Sequence, residues 1–282
     1  MRGADLSAGI RPITDREFRR FRRFIYERAG IELAEHKKRL VEGRLHRRLR
    51  HYGLTTFDGY FALLSRDDQG REQQVAVDLL TTNETYFFRE PAHFEYLRRQ
   101  VLPAFRGRSF RAWSAACSSG EEVYTLAMVL AESLGTGDWR ILGSDISERM
   151  LRTARTGLYP LQRTREIPRE LLARYCLKGV RSQTGNLLME QRLKERVEFR
   201  SINLKTLVAE PEVHDVVFLR NVLIYFDRAT KQGVVQRILR SLKPGGLLFL
   251  SHVESLFGIT DQVQTLGPSI YRKPGAVRAV AS

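Results

Sequence analysis

Through the first eighty residues, apolar positions recur at helical spacing; beyond that, short apolar runs alternate with helical stretches. Phe18, Phe21, Ile25 and Ala29 lie three or four apart behind Thr14-Asp15-Arg16-Glu17, which has the spacing of a capping box. The pattern predicts a helix from about Thr14 to Ala29, closed by Gly30. Leu40, Val41, Leu45 and Leu49 mark a second helix, Phe57, Tyr60, Phe61 and Leu64 a third, and Val75, Leu79 and Leu80 a fourth. Helices in succession with no strand pattern between them predict an all-α domain over residues 12–80.

Residues 91–282 read differently. Phe110–Ser114, Arg140–Ser144, Asp215–Leu219 and Leu247–Ser251 are short strand candidates, with helices beginning at Glu121, Ser147 and Arg228 between them. That alternation predicts an α/β sheet. Lys243-Pro244-Gly245-Gly246 reads as a helix end turning into the last of these strands. Between Gly157 and Arg200 the alternation breaks: Pro168–Leu177 is helical in pattern, while Leu187–Met189 and Val197–Phe199 are brief apolar stretches flanking a charged run. This is too long for a connection and too apolar for a linker, so a small subdomain inserted at about 157–200 is expected.

At 282 residues and 43% hydrophobic content the chain can bury a sizeable core. Its two cysteines, Cys117 and Cys176, lack the spacing of a zinc site or a disulfide framework. Met1 to Ile10 lacks the apolar core of a signal peptide, and no run approaches the ~18 apolar residues of a spanning helix, so a cytoplasmic protein is expected. The formal charge of +15 implies an acidic partner of some kind. Much of it sits in His36–His51, where Lys37, Lys38, Arg39, Arg44, Arg47, Arg48 and Arg50 face a single acid, Glu42. With Val41, Leu45 and Leu49 forming the buried seam, the other faces of this helix are expected to dock an acidic surface.

The chemistry concentrates after Phe110. Ala112-Trp113-Ser114 runs into the small-residue turn Ala115-Ala116-Cys117-Ser118-Ser119-Gly120, a helix opens on Glu121-Glu122, and the next strand ends on Asp145. A doubly wound sheet grips a nucleoside in this way, with backbone N–H groups at the turn and an acid on the ribose diol. Two glutamates at a helix N-terminus would repel the phosphates usually bound there. S-adenosylmethionine fits better, having a ribose, an adenine, an ammonium and a sulfonium but no phosphate. Arg220 and Asn221 follow the strand candidate at 215–219, and Asn203-Leu204 follow that at 197–199; strand carboxyl ends place both pairs on the same crevice. The linker Thr81-Thr82-Asn83-Glu84-Thr85-Tyr86-Phe87-Phe88-Arg89-Glu90 carries hydroxyl, amide, aromatic and cationic side chains, unlike a solvated linker, and Pro91 opens a helix after it.

Taken in order, T-N-E-T-Y-F-F-R-E, W-S-A-A-C-S-S-G-E-E, S-D-I-S, S-I-N-L, L-R-N-V-L-I-Y-F-D and L-K-P-G-G resemble the CheR-type chemotaxis receptor glutamate methyltransferases, from about Thr14 to Tyr271. The resemblance implies an N-terminal all-α domain, a Rossmann-like S-adenosylmethionine-dependent methyltransferase domain, and a small inserted β-subdomain. It implies cofactor contacts from Asn83, Thr85, Arg89, Glu122, Asp145, Asn203, Leu204, Arg220 and Asn221, with S-adenosylhomocysteine as product. It also implies that the basic second helix meets acidic helices of a methyl-accepting chemoreceptor. In some relatives a glycine-rich turn of the insert binds a receptor's C-terminal peptide; the matching stretch, Lys178–Gly185, keeps Gly179 and Gly185 but has Arg181 where a further glycine is expected.

A glutamate acceptor of pKa ~4.3 is already an anion at neutral pH and attacks the methyl group without a general base. Alignment and a dry site then carry the catalysis. Arg89 is expected to hold the acceptor or the cofactor carboxylate through its guanidinium fork, and Tyr225 to orient the acceptor through its hydroxyl. The competing readings are a nucleic-acid methyltransferase, which the charge favours but which lacks an N-P-P-Y-type site, and a methyltransferase-like binding module without turnover.

Overall fold

Thr14 begins the first helix because its neighbours cap it. Its hydroxyl accepts from the Glu17 N–H, the Glu17 carboxylate accepts from the Thr14 N–H, and Gly30 ends the helix at φ 75°. The computed structural model describes residues 9–207 and 213–275, so 1–8, 208–212 and 276–282 lie outside the described residues. Contacts divide the chain into two units. One runs up to Thr82 and includes Tyr225–Asp227; the other holds the remainder.

The first unit contains α1 (Asp15–Ala29), α2 (Lys38–His51), α3 (Phe57–Ser65) and α4 (Arg71–Leu80). Phe21 packs against Phe57 and Phe61 edge-on at 6.3 and 5.5 Å, and Val41, Leu45 and Leu49 turn the apolar seam of α2 inward. Tyr225–Asp227 joins this unit through a bridge between Ile31 and Phe226 and a hydrogen bond from the Tyr26 hydroxyl to Asp227.

In the second unit α5 (Pro91–Tyr96) precedes an alternation of β1 (Phe110–Ser114), α6 (Glu121–Leu134), β2 (Trp139–Asp145) and α7 (Glu148–Thr156). Then come β3 (Leu158–Pro160), α8 (Arg169–Tyr175), β4 (Cys176–Lys178), β5 (Asn186–Met189) and α9 (Gln191–Lys194). The chain returns through β6 (Val197–Ser201), β7 (His214–Phe218), α10 (Arg228–Arg240), β8 (Leu242–Phe249), β9 (Gln264–Gly267) and β10 (Ile270–Arg272). Among the described residues the main sheet has the order β6-β2-β1-β7-β8-β10-β9, parallel from β6 to β8, with β10 antiparallel to both neighbours. Every residue of β7 is buried, as a strand covered on both faces requires. Phe94, Phe218 and Phe249 stack in succession at 5.7 and 4.5 Å between centroids in this core.

Two stretches differ from expectation. Val197–Ser201 pairs with β2 at the edge of the main sheet, so the inserted sheet is β3-β5-β4 and closes before the stretch expected to end it. An apolar run announces a strand but not which sheet it joins. The helix expected to end in Lys243–Gly246 stops at Arg240, and those four residues bulge out of β8: Leu242 lies opposite His214 and Leu247 opposite Val216. In the insert, Arg181 adopts φ 52°, a backbone region that favours glycine, and a Cβ on Gly179 would lie 2.0 Å from the Gln183 carbonyl oxygen. The turn thus keeps a glycine-type backbone with arginine at one of its positions.

Candidate active site

Strand order reverses at β1, with β2 on one side and β7 on the other, and open α/β sheets bind ligands outside the carboxyl ends of the strands at such a point. The turn Ala115–Gly120 covers this edge and is tied to the strands beside it. Ala115 N–H donates to Phe218 C=O at 2.8 Å and Cys117 N–H to Ser144 C=O at 2.8 Å. Gly120 has φ 94°, and a Cβ there would stand 2.8 Å from Ala154 Cβ and 3.0 Å from the Tyr159 hydroxyl. That hydroxyl, from the inserted sheet, donates to Ser119 C=O at 2.7 Å, so the insert braces the turn.

Three carboxylates meet the turn, and they differ. Asp145, at the end of β2, accepts from Ser118 N–H at 2.8 Å through Oδ2 and from Ser147 N–H at 2.9 Å through Oδ1, which fixes its orientation. Glu122 accepts from the Ser114 hydroxyl at 2.7 Å and from Arg220 Nη1 at 2.9 Å. Glu121 is fully buried, accepts from the Ser119 hydroxyl at 2.7 Å and pairs with Arg163. Burial raises its pKa, and the Arg163 charge opposes the rise. Glu121 thus belongs to the scaffold, while Glu122 sits with Arg220 at the mouth of β1.

Arg220 is a buried hub, 4% exposed. Besides Glu122 it meets Glu90 at 3.3 Å, donates to Arg89 C=O at 2.6 Å and lies over the Phe94 ring. It therefore ties the junction segment to the strand ends. Asn221 follows at φ 57°, and its N–H donates to Glu254 at 2.8 Å. The same carboxylate accepts from Val222 and Leu223 N–H at 2.9 and 2.8 Å, and from the N–H and hydroxyl of Ser251 at 3.0 and 2.7 Å. Sequence reasoning missed Glu254, Glu90 and Arg163. The available signal for Glu254 was an acid just past a buried strand, on the edge where a doubly wound sheet places its ligand. Of the six described non-glycine residues with positive φ, Phe88, Glu90, Ser118 and Asn221 lie in these segments, so backbone strain gathers around the crevice.

Other expected site residues are placed less centrally. Asn83 C=O accepts from the Ser118 hydroxyl at 3.0 Å and Thr85 C=O from Arg163 at 3.3 Å, which brings the junction backbone onto the turn. The Arg89 guanidinium folds back on its own segment, donating to Glu84 C=O at 2.9 Å and lying over Tyr86. Asn203 shapes a turn, its Oδ1 accepting from Lys205 N–H at 3.0 Å, and Leu204 is buried beside it. Tyr225 ends a short turn, Leu223–Tyr225, and its carbonyl accepts from Glu32 N–H at 2.8 Å within the helical unit.

The basic helix α2 is less free than its composition suggests. Arg48 pairs with the Glu72 carboxylate through Nε and Nη2 at 2.8 and 2.6 Å, alongside the Tyr52 and Tyr60 hydroxyls. Arg44 donates to the Leu80 and Thr81 carbonyls at 2.9 and 3.1 Å, where α4 ends, and Lys38 pairs with Asp15. Partners from α1 and α4 supply the relief that i,i+4 spacing within α2 lacks. Lys37, Arg39, Arg47 and Arg50 remain exposed.

A doubly wound sheet with a glycine-poor turn and two oriented carboxylates at the switch point defines a nucleoside-binding α/β protein whose seat suits a cationic ligand. Residues 16–81 match the family model of the CheR methyltransferase all-alpha domain, and residues 83–271 that of the CheR methyltransferase S-adenosylmethionine-binding domain. The "Chemotaxis protein methyltransferase" of Salmonella typhimurium is 39% identical over 262 residues, covering 92% of this chain and 90% of the relative. Its Escherichia coli counterpart is 40% identical over 262 residues (92% and 91%), and "Chemotaxis protein methyltransferase 2" of Pseudomonas aeruginosa 41% over 267 (92% and 93%). The chain belongs to the CheR methyltransferase family. No helix among the described residues is long and apolar enough to cross a membrane.

Proposed function

We propose that the protein transfers a methyl group from S-adenosylmethionine to glutamate side chains on the cytoplasmic helices of a chemoreceptor, giving methyl esters and S-adenosylhomocysteine. The observation that carries this reading is the pair Asp145 and Glu122, two oriented carboxylates flanking a turn at the switch point of the sheet. Their donor chemistry fits the cofactor. A carboxylate has about four acceptor sites, enough for backbone N–H groups and a ribose diol together, and a second at the helix N-terminus favours an ammonium over a phosphate. When bound, the cofactor supplies a methyl group on a cationic sulfur.

The chain's own residues then bind, orient and exclude water. Asp145 takes the ribose and Glu122 the amino end. Arg220 holds Glu122 in place, and Asn83, Thr85, Asn203, Leu204 and Asn221 line the seat. Arg89, anchored through one nitrogen, offers further donors of its fork to the acceptor or to the cofactor carboxylate. Tyr225 orients the acceptor. The incoming glutamate is an anion at neutral pH and needs no base; its desolvation against the sulfonium charge is what the site must supply. The exposed cations Lys37, Arg39, Arg47 and Arg50 of α2 steer an acidic receptor helix.

The test is transfer of labelled methyl from S-adenosylmethionine to receptor cytoplasmic fragments, with base-labile release identifying an ester. Label that resists base, or none on any fragment, sinks the reading. Calorimetry with S-adenosylhomocysteine separates the seat from the acceptor: Asp145→Asn and Glu122→Gln are each expected to weaken binding about tenfold or more, as loss of a charged hydrogen bond implies. Arg89→Ala and Tyr225→Phe should cut methyl transfer; wild-type rates with unchanged cofactor affinity would remove those roles.

A further inference from the structure

Glu90, His93 and His252, joined to the seat through Arg220 between Glu90 and Glu122, bring one ligand atom each to within 4.8 Å of one another. His93 Nδ1 lies 3.5 Å from Glu90 Oε2, and His252 Nε2 lies 3.7 Å from the same oxygen. Donors that share a tetrahedral ion at bonds of about 2.0–2.2 Å sit about 3.3–3.5 Å apart, so the two pairs to Glu90 are already near that spacing, and the two imidazole nitrogens, within 4.8 Å, would close in on the ion. Glu90 Oε2 also accepts from the His252 N–H at 3.3 Å and meets Arg220 Nη2 at 3.3 Å, but these ties leave the His93 ring out. His93 is 1% exposed, and neither of its ring nitrogens has a hydrogen-bond partner among the described residues.

A buried imidazole without partners loses its hydration for nothing in return. Its ring is fixed between Phe249 at 5.6 Å and His252 at 5.0 Å, centroid to centroid. A neutral imidazole offers a ring lone pair to a metal ion. Glu90 is aimed at the ring from a backbone at φ 57°, directly before α5, and His93 follows three residues on. Arg220 shares Glu90 but also holds Glu122 and the Arg89 carbonyl, so it keeps partners when the carboxylate turns to an ion. His252 is half exposed, which gives an entry path and a side open to water. Two nitrogens and one carboxylate oxygen select a zinc-type ion over magnesium or calcium.

We propose that Glu90, His93 and His252 form a binding site for one zinc-class divalent ion, with water completing the coordination. The full chain, stripped with chelator, is titrated with Co2+ and followed by visible absorption. One equivalent is expected to give the band of a four-coordinate nitrogen and oxygen site, and Zn2+ to abolish it. His93 packs in the core and its replacement would disturb the fold, so the variants are His252→Ala and Glu90→Gln. Both should lose the band and weaken Zn2+ retention against a chromogenic chelator by about tenfold or more. Weak binding at the surface histidines His36 and His51 survives in both and serves as background. A wild-type protein without the band, or a His252→Ala protein that holds Zn2+ within about twofold of wild type, overturns the proposal.

Discussion

Two loops at the carboxyl edge of the sheet do similar work by different means. Ala115–Gly120 is held by several separate ties, from the strand neighbours Phe218 and Ser144, from Asp145, from Tyr159 of the inserted sheet and from the Asn83 carbonyl, and its one glycine occupies the position where a side chain cannot fit. Arg220–Ile224 carries no glycine, takes a left-handed step at Asn221 and is fastened by one carboxylate some thirty residues away, Glu254. The first loop spreads its ties over several partners. The second gathers them on one carboxylate that its own residues do not announce, and a tie of that kind concentrates more energy in a single side chain.

The sharpest test of this contrast is Glu254→Gln. The amide can accept through one oxygen only, and its NH2 faces N–H groups that the carboxylate had satisfied, so several buried donors lose their partner. Hydrogen bonds to a charged group contribute roughly 1.5–3 kcal/mol each, and a loss of about 3 kcal/mol is expected in the denaturant midpoint of the α/β unit. A loss below about 1 kcal/mol would show that the loop holds itself and would erase the difference between the two. Gly120→Ala comes next. Its Cβ would meet Ala154 Cβ at 2.8 Å and the Ala154 Cα at 3.1 Å from a backbone at φ 94°. Backbone strain and overpacking together are expected to cost about 2 kcal/mol, with S-adenosylhomocysteine affinity falling as the turn shifts. An unchanged midpoint would mean that α7 gives way freely and that the turn is not locked locally.

Legibility in the sequence follows the same line. Asp145, Glu122 and the small-residue turn could be read because the fold places them on adjacent strand ends, within reach of one short motif. The capping box and Gly30 could be read because four residues contain the whole device. Val197–Ser201 was recognisable as apolar but not as an edge strand, since pairing with β2 is decided by topology. Lys243–Gly246 suggested a helix end because bulges and turns use the same residues. Arg48 counted as free charge until Glu72, on another helix, appeared beside it. Glu90 and His252 lie 162 residues apart, so no spacing rule could join them.

The smallest expected effect belongs to the most local device, and it carries a pH signature. Burial alone would raise the Glu17 pKa, but hydrogen bonds from the Thr14 hydroxyl and N–H, Arg11 and the Asp58 N–H outweigh it and bring the group down to about 2. In the unfolded chain the group titrates near its ordinary value of 4.5. A carboxylate depressed by folding contributes its full stabilisation above the unfolded pKa and loses it as protons bind the native state. The stabilisation is therefore complete at neutral pH and fades as pH falls from about 4.5 towards about 2. Both tryptophans, Trp113 and Trp139, lie in the α/β unit, so amide exchange along α1 is the readout that isolates the effect. Thr14→Ala is expected to cost about 1 kcal/mol at neutral pH, and Glu17→Gln to flatten the acid slope of α1 protection. If Thr14→Ala instead rivals Glu254→Gln, one capping hydroxyl counts for as much as a carboxylate shared by several donors, and gathering ties on a single side chain does not concentrate energy there.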